Sequence, residues 1–318
     1  MVNHRHYSYF TNYQGELTSM ERRLSFTITE DYAGVTIQDY LKKQGFSSQN
    51  IIELKKMHRS VLINDQWMHM NYKLQKEEKL IIHIQETESN EKILPINLPF
   101  PILYEDEDLV VINKPANMPI HPSQNNYDNT LANAAAYYYE ELQRTPFVFR
   151  CINRLDKDTT GLTILAKNMY SANVLAGQMQ RREIKRLYLA LLDGALEKKY
   201  GTIRFPIGRK SGSTIERQVD FEQGDSAVTH YCRLKETDGY TLAAFQLETG
   251  RTHQIRVHMA SINAPLIGDT LYNHKSSATL FPRQALHAHR ISFTHPVTGK
   301  PMKFTAPIPE DMTSLFSK

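Results

Sequence analysis

Arg154 and Asp156 stand two residues apart in CINRLDKDTTGLTILAKN, the stretch from Cys151 to Asn168, and so face the same side of an extended segment. The DTTG turn that follows sends Leu162, Ile164 and Ala166 alternately into a sheet. A carboxylate held among cations at the mouth of a strand can act as a nucleophile or as a base. A loop aspartate is more often a turn former, so Asp156 reads as chemistry only if a partner can be found for it.

TGRTHQIRVHMASIN (Thr249–Asn263) supplies one. Its pattern predicts a turn at Gly250 and a helix capped by Thr252, with Ile255, Met259 and Ile262 burying one face. Arg256 then lies about 100° from Ile255 around the helix, at the margin of the buried stripe. An arginine so near a core needs a carboxylate, because an unpaired buried charge costs several kcal/mol, and Asp156 would serve. In KRLYLALL, Leu187, Leu189 and Leu191 alternate against Tyr188 and Ala190, so Tyr188 points away from the leucine stripe.

Other chemistries find little support. His253 and His258, five apart, do not share a face of a helix or a strand. His287 and His289 in LHAHR could face one way on a strand, but no third metal ligand stands near them in sequence. No phosphate-cradling glycine loop, nucleophile elbow or dinucleotide fingerprint occurs, so no cofactor and no metal is expected. Two cysteines, Cys151 and Cys232, are too few for a disulfide framework and suit reduced thiols in a cytoplasmic protein.

The elements that must position these residues fill a chain of 318 residues, enough for about two domains. A net charge of +4 does not by itself argue for nucleic acid, but base is clustered in RREIKR (Arg181–Arg186) and LKKMHRS (Leu54–Ser60). No apolar run is long enough for a membrane span, and the N-terminus lacks the apolar core of a signal peptide. Residues 1–21 read as a loose tail, with Met20 an alternative start. Residues 22–86 read as a small α+β domain: a strand at LSFTI, helices at TIQDYLKKQG and SSQNIIELKKMHR, then short strands around an NDQ turn. Polar, then proline-rich residues 87–101 read as a linker. From 102 to 318 strands outnumber helices without regular alternation, which predicts an α+β domain around a mixed, mostly antiparallel sheet with flanking helices.

INRLDKDTTGL, KRLYLALL and LETGRTHQIRVHMASINAPLIGDTLY, with LVVINKPANMPIHP upstream, together resemble the RluA family of RNA pseudouridine synthases, on its RluD-like side. The resemblance runs from about Leu103 to Pro309. It implies a catalytic carboxylate at Asp156, a salt bridge to it from Arg256, and a base-packing tyrosine at Tyr188. Arg154, Arg251, His253 and Gln254 are then implied substrate contacts. The 22–86 unit resembles the RNA-binding domain of ribosomal small-subunit protein four. The expected partner is ribosomal RNA, or transfer RNA, bound by a monomer without cofactor. Family members often carry His before RLD, where this chain has Asn153; that departure bears on RNA positioning more than on activity. A non-catalytic RNA-binding protein is the main rival, and intact Asp156, Tyr188 and Arg256 argue against it.

Overall fold

The computed structural model describes residues 19–314 except 91, 125, 238, 276 and 278–280. Stretch 1–18 of the expected tail lies outside the described residues. The first unit comprises β1 (Met20–Thr27), α1 (Ile37–Lys43), α2 (Ser48–Lys56), β2 (Val61–Ile63), β3 (Gln66–Trp67) and β4 (Lys79–Glu86). Strand β1 begins at Met20, inside the segment assigned to the tail, and pairs with β4 from Met20–Glu86 to Thr27–Lys79. The four strands order as β1-β4-β2-β3. Thr36 caps α1 through the amide of Asp39, and Ser47 caps α2 in a reciprocal box with Asn50. Their apolar faces (Ile37, Tyr40 and Leu41; Ile51 and Leu54) close over Leu80, Ile82 and Ile84 of β4.

The second unit is built on β5 (Ile102–Glu105), β6 (Leu109–Lys114), α3 (Leu131–Ala136, continuing as π-helical turns to Leu142), β7 (Thr160–Ala166), α4 (Met169–Gln180) and β8 (Lys185–Asp193). It continues through β9 (Tyr200–Ile203), β10 (Ile207–Arg209), β11 (Arg217–Val219), β12 (Thr229–Thr237), β13 (Tyr240–Leu247), α5 (Gln254–Ser261), β14 (Leu286–Thr294) and β15 (Pro301–Thr305). Nine strands share one sheet, ordered β5-β6-β7-β14-β8-β13-β12-β9, with β15 also on β14. This is the α+β mixed sheet expected. Its one parallel pairing among the described strands joins β7 to β14, through His287–Thr160 and Ala288–Gly161. That junction lies just after the Asp156 loop. Gly161 has φ +110°, and a Cβ there would meet Ala288 O at 2.3 Å.

The two units are fastened together. The Arg22 guanidinium donates to both oxygens of Asp108 at 2.9 and 2.8 Å. Arg150 donates to Glu86 at 2.8 Å, and the Tyr170 hydroxyl of α4 donates to Gln44 O at 3.0 Å. Phe46 packs on Tyr170 with ring centroids 4.4 Å apart. The polar segment read as a linker is also held down. Ser89 and Asn90 accept the amides of Phe147 and Phe149, while Asn133 grips Leu94 O and Ile96 N. It is a strap, because its polar side chains satisfy the backbone of a neighbouring loop rather than water.

Gly161→Ala should cost about 3 kcal/mol or more, since it combines a left-handed backbone with a clash against main chain that cannot move aside. Urea unfolding of the variant measures it, and a loss below about 1 kcal/mol would show that the β7–β14 junction can spread.

Candidate active site

Asp156 is held by the loop it sits in, and the loop by its surroundings. Asn153, nearly fully buried, donates through Nδ2 to Leu162 O at 2.9 Å and accepts Ile164 N through Oδ1 at 3.0 Å. Its side chain thus pairs with the β7 backbone as another strand residue would. Asn153 thus seats the loop against β7 and also lines the cleft beside Arg154. From below, Lys114 at the end of β6 is completely buried, with Nζ donating to Pro115 O, Met118 O and Lys157 O at 2.8–2.9 Å. One ammonium so ties the NKPANMP loop to the RLDKD loop. Burial pushes its pKa down to about 7, against the opposing pull of Asp158 and Asp156.

Arg256 reaches Asp156 from α5, with Nη1 3.1 Å from Oδ2. Its other donors go elsewhere: Nε and Nη2 bind the two oxygens of Asp269 at 2.7 and 2.9 Å. The side chain of Asp269 is wholly buried and also accepts the amides of Leu271 and Tyr272. Burial lowers the Arg256 pKa, but Asp269 and Asp156 outweigh it, and the net shift is upward. The guanidinium lies over the Tyr272 ring, 5.0 Å from its centroid. The Tyr272 oxygen accepts Arg217 N–H at 2.8 Å and lies 2.8 Å from His253 Nδ1. If the phenol proton goes to Nδ1, His253 carries its own proton on Nε2, which lies 3.9 Å from Asp156 Oδ2. Burial lowers the His253 pKa, so the imidazole is neutral near pH 7.

These groups meet in a cleft of about 800 Å³ lined by Asp156, Arg154, Arg251, His253, Arg256 and Tyr188 among others. Tyr188 sits mid-sheet, opposite Phe245 of β13 and Ala288 of β14, on the face that α5 covers. Burial raises its pKa. Arg154 is exposed; Arg251 is exposed too and holds Ser226 O and Asp225. Gln254 lines the cleft but differs from expectation. Its amide donates to Val228 O and Thr229 Oγ1 and accepts Thr249 Oγ1 and Arg251 N, which uses its full hydrogen-bonding capacity on the scaffold. The helix cap also differs: α5 begins after His253, not Thr252, and His253 has φ +58° with no side-chain cap. That left-handed residue directs its ring toward Asp156 in place of capping the helix.

Sequence reasoning missed four lining or supporting residues. Asp269 and Lys114 were present in the quoted motifs without a role, as was His121, which lines the cleft against Phe149 with ring centroids 5.1 Å apart. Arg186 was only one of a basic run, and its half-buried side chain lines the cleft beside Tyr188. Of the imidazole pair, His287 binds Thr160 Oγ1 and His289 binds Ala306 O. Among the described residues, the three-ligand group that does form is Asp106, Asp108 and His295. Its oxygens already serve Tyr104, His295, Arg22, Asn168 and Ser171, and none of the three lines the cleft.

A family model described as RNA pseudouridylate synthase matches residues 108–261. An uncharacterized RNA pseudouridine synthase of Bacillus subtilis, YjbO, is 37% identical over 281 residues, covering 88% of this chain and 98% of that one. Ribosomal large subunit pseudouridine synthase D of Neisseria meningitidis is 35% identical over 308 residues, with 93% and 82% covered. Among solved structures, human RNA pseudouridylate synthase domain containing 1 superposes with a TM-score of 0.55 at 27% identity, covering 66% of this chain and 83% of that one.

Arg256→Ala should destabilise the fold by about 3–5 kcal/mol, because it strands the buried Asp269 as well as Asp156. Recovery of part of that loss in Arg256→Ala/Asp269→Asn, which removes the buried charge but keeps an acceptor for the Leu271 and Tyr272 amides, would confirm that Asp269 is the source, and equal instability would refute it. A second test follows from Lys114. The unfolded chain keeps that proton up to an ordinary value of 10.5, whereas the folded site releases it near 7. Between those limits the unfolded state binds more protons, so this group makes stability rise with pH from about 7 to 10.5; the contribution is lost as pH falls to about 7 and is flat below it. Lys114→Met should flatten that slope in denaturant titrations at several pH values; an unchanged slope refutes the assignment.

Proposed function

This chain belongs to the RNA pseudouridine synthase family, and from that premise we propose that Asp156 is its catalytic carboxylate and ribosomal RNA its substrate. The activity itself, isomerisation of uridine to pseudouridine in RNA, follows from the family. The observation that carries the assignment within the site is the position of Asp156, at a cation-lined cleft between Arg256 and His253. The reaction breaks the bond from uracil N1 to ribose C1′, turns the ring, and joins C5 to C1′ with loss of the C5 proton to solvent and gain of one at N1. Product and substrate have the same composition, so no oxidant and no energy source is consumed.

Each residue then has a task. Asp156 either attacks C1′ as the nucleophile or assists deprotonation of the sugar on a path through a glycal. Arg256 fixes one carboxylate oxygen and leaves the other for the ribose. Tyr188 supports the flipped base, whose extrusion costs a few kcal/mol. Arg154 and Arg251, at the exposed rim, meet the backbone, and Gln254 holds the loop that carries Arg251. The ribosomal substrate draws support from the Neisseria relative, whose name specifies the large ribosomal subunit. Transfer RNA is the alternative. The accessory unit, with its resemblance to the domain of ribosomal small-subunit protein four, is read as RNA-binding. Two free cysteines favour a reducing, cytoplasmic setting, and the protein is read as a monomer. No described helix is long and apolar enough to cross a membrane.

Tritium release from RNA labelled at uracil C5 tests the chemistry. Asp156→Asn keeps shape and hydrogen bonding, so turnover should fall at least about a thousandfold while RNA affinity stays within a few fold. Full turnover in that variant would remove Asp156 from the mechanism, and activity abolished by EDTA and restored by zinc would indicate metal-dependent chemistry. Pseudouridine mapping with and without the gene identifies the substrate; sites lost only from transfer RNA would overturn the ribosomal assignment.

A further inference from the structure

The accessory unit has a groove of its own, about 930 Å³, whose lining among the described residues lies between Thr36 and Asn71 and shares no residue with the Asp156 cleft. One wall is the C-terminal end of α2 and the turn after it, with Lys55, Lys56, His58 and Arg59. The other is the β2–β3 hairpin, where Asn64 and Asp65 take positive φ of 48° and 68° and bring Trp67 opposite Leu62. Trp67 is the only tryptophan in the chain and leaves 48% of its surface exposed. Its ring is inclined at 68° to the exposed His69 ring, with centroids 4.3 Å apart. The nearest apolar core, through Leu54, Val61 and Met70, lies beneath the groove and does not cover the indole. Asp39 also lines the groove, but its carboxylate is engaged by Thr36 and faces Lys42.

An exposed aromatic face flanked by cations is what a single-stranded nucleic acid requires: a π surface for a base and positive charge for the phosphates on either side. A duplex buries its base faces and cannot use the indole. We propose that this groove binds an unpaired nucleotide of the RNA substrate, with its base stacked on Trp67 and the adjoining phosphates met by Lys55, Lys56 and Arg59. The inference rests on the reading that the chain acts on RNA, and it adds a second contact point at a distance from the reacting uridine. The charges are available for it. Lys55 gives one hydrogen bond to Gln38, and Lys56 pairs with Glu53 at the surface, 65% exposed, a contact of the kind that contributes little.

The single tryptophan makes the test direct, because emission excited at the red edge of the absorption band, where the chain's tyrosines do not absorb, reports Trp67. The full chain carrying Asp156→Asn is titrated with a short single-stranded oligouridylate, with an RNA duplex of the same length, and with polyglutamate. Saturable quenching by the single strand, weakened by salt and much smaller with the duplex, is the expected result. Trp67→Ala should weaken single-strand binding, followed by anisotropy of a labelled oligonucleotide, roughly tenfold. Trp67→Phe should restore most of it, and Arg59→Ala, which alters no buried group, should reduce the salt dependence. With Asp156 intact, Trp67→Ala should raise KM for long RNA while kcat stays near wild type. Binding without change in emission, wild-type affinity in both Trp67→Ala and Arg59→Ala, or quenching by polyglutamate in place of RNA would overturn the proposal. The emission assay needs no turnover, so an inactive wild-type enzyme would count against the functional reading and not against this groove.

Discussion

One guanidinium divides its donors between two aspartates, and the geometry of the cleft depends on that division. Asp269 takes Nε and Nη2 of Arg256 in a planar two-point contact, and Asp156 takes Nη1. The first pair is buried and bidentate, so it fixes where the third donor points. Asp156 is still 23% exposed, so it meets an oriented cation on one side and the cleft on the other. A lysine could neutralise either carboxylate, but it could not hold both in a set geometry.

The same logic runs through the loops. Asp156 lies between two anchors separated widely in sequence: Lys114 below, tied to Lys157 O, and the β7–β14 junction after it. Gly161 is needed because two parallel strands approach at the point where the loop ends, and a side chain would wedge them apart. The cost of burying Lys114 is offset in part by three carbonyl acceptors that match the three donors of an ammonium. Loop position is thus set by backbone groups, which a substrate cannot displace.

Much of this was legible in the sequence. The period of TGRTHQIRVHMASIN placed Arg256 at the edge of a buried face, and a buried arginine must find a carboxylate, so the pair with Asp156 could be anticipated. Alternation in KRLYLALL put Tyr188 opposite the leucines, as found. What remained hidden was non-local. Nothing within APLIGDTLY marks Asp269 as fully buried, because its burial comes from a turn that closes onto another helix. Lys114 reads as an ordinary strand-end lysine until two loops fold over it. Thr252 is the better cap by residue type, yet tertiary demand on His253 moved the helix start by one residue. The polar strap was read as a linker because composition cannot tell water from a neighbour's backbone.

The rim of the cleft behaves differently from its floor. Arg182 pairs with Glu248 at 2.6 Å and Arg251 with Asp225 at 3.3 Å, all four at or near the surface. Exposed pairs of this kind contribute about 0–1 kcal/mol each. An arriving phosphate can therefore replace Glu248 or Asp225 at little cost and gain a charge-assisted contact in return. Exchange at the floor is another matter, since losing the Asp269 pair would leave a buried charge without a partner. Electrostatic strength thus rises with depth: pairs that RNA can compete away lie outside, and those that hold Asp156 in register lie where RNA cannot reach. Ion-pair partners can thus be exchanged at the mouth of the cleft without loosening the contacts that hold Asp156 in place.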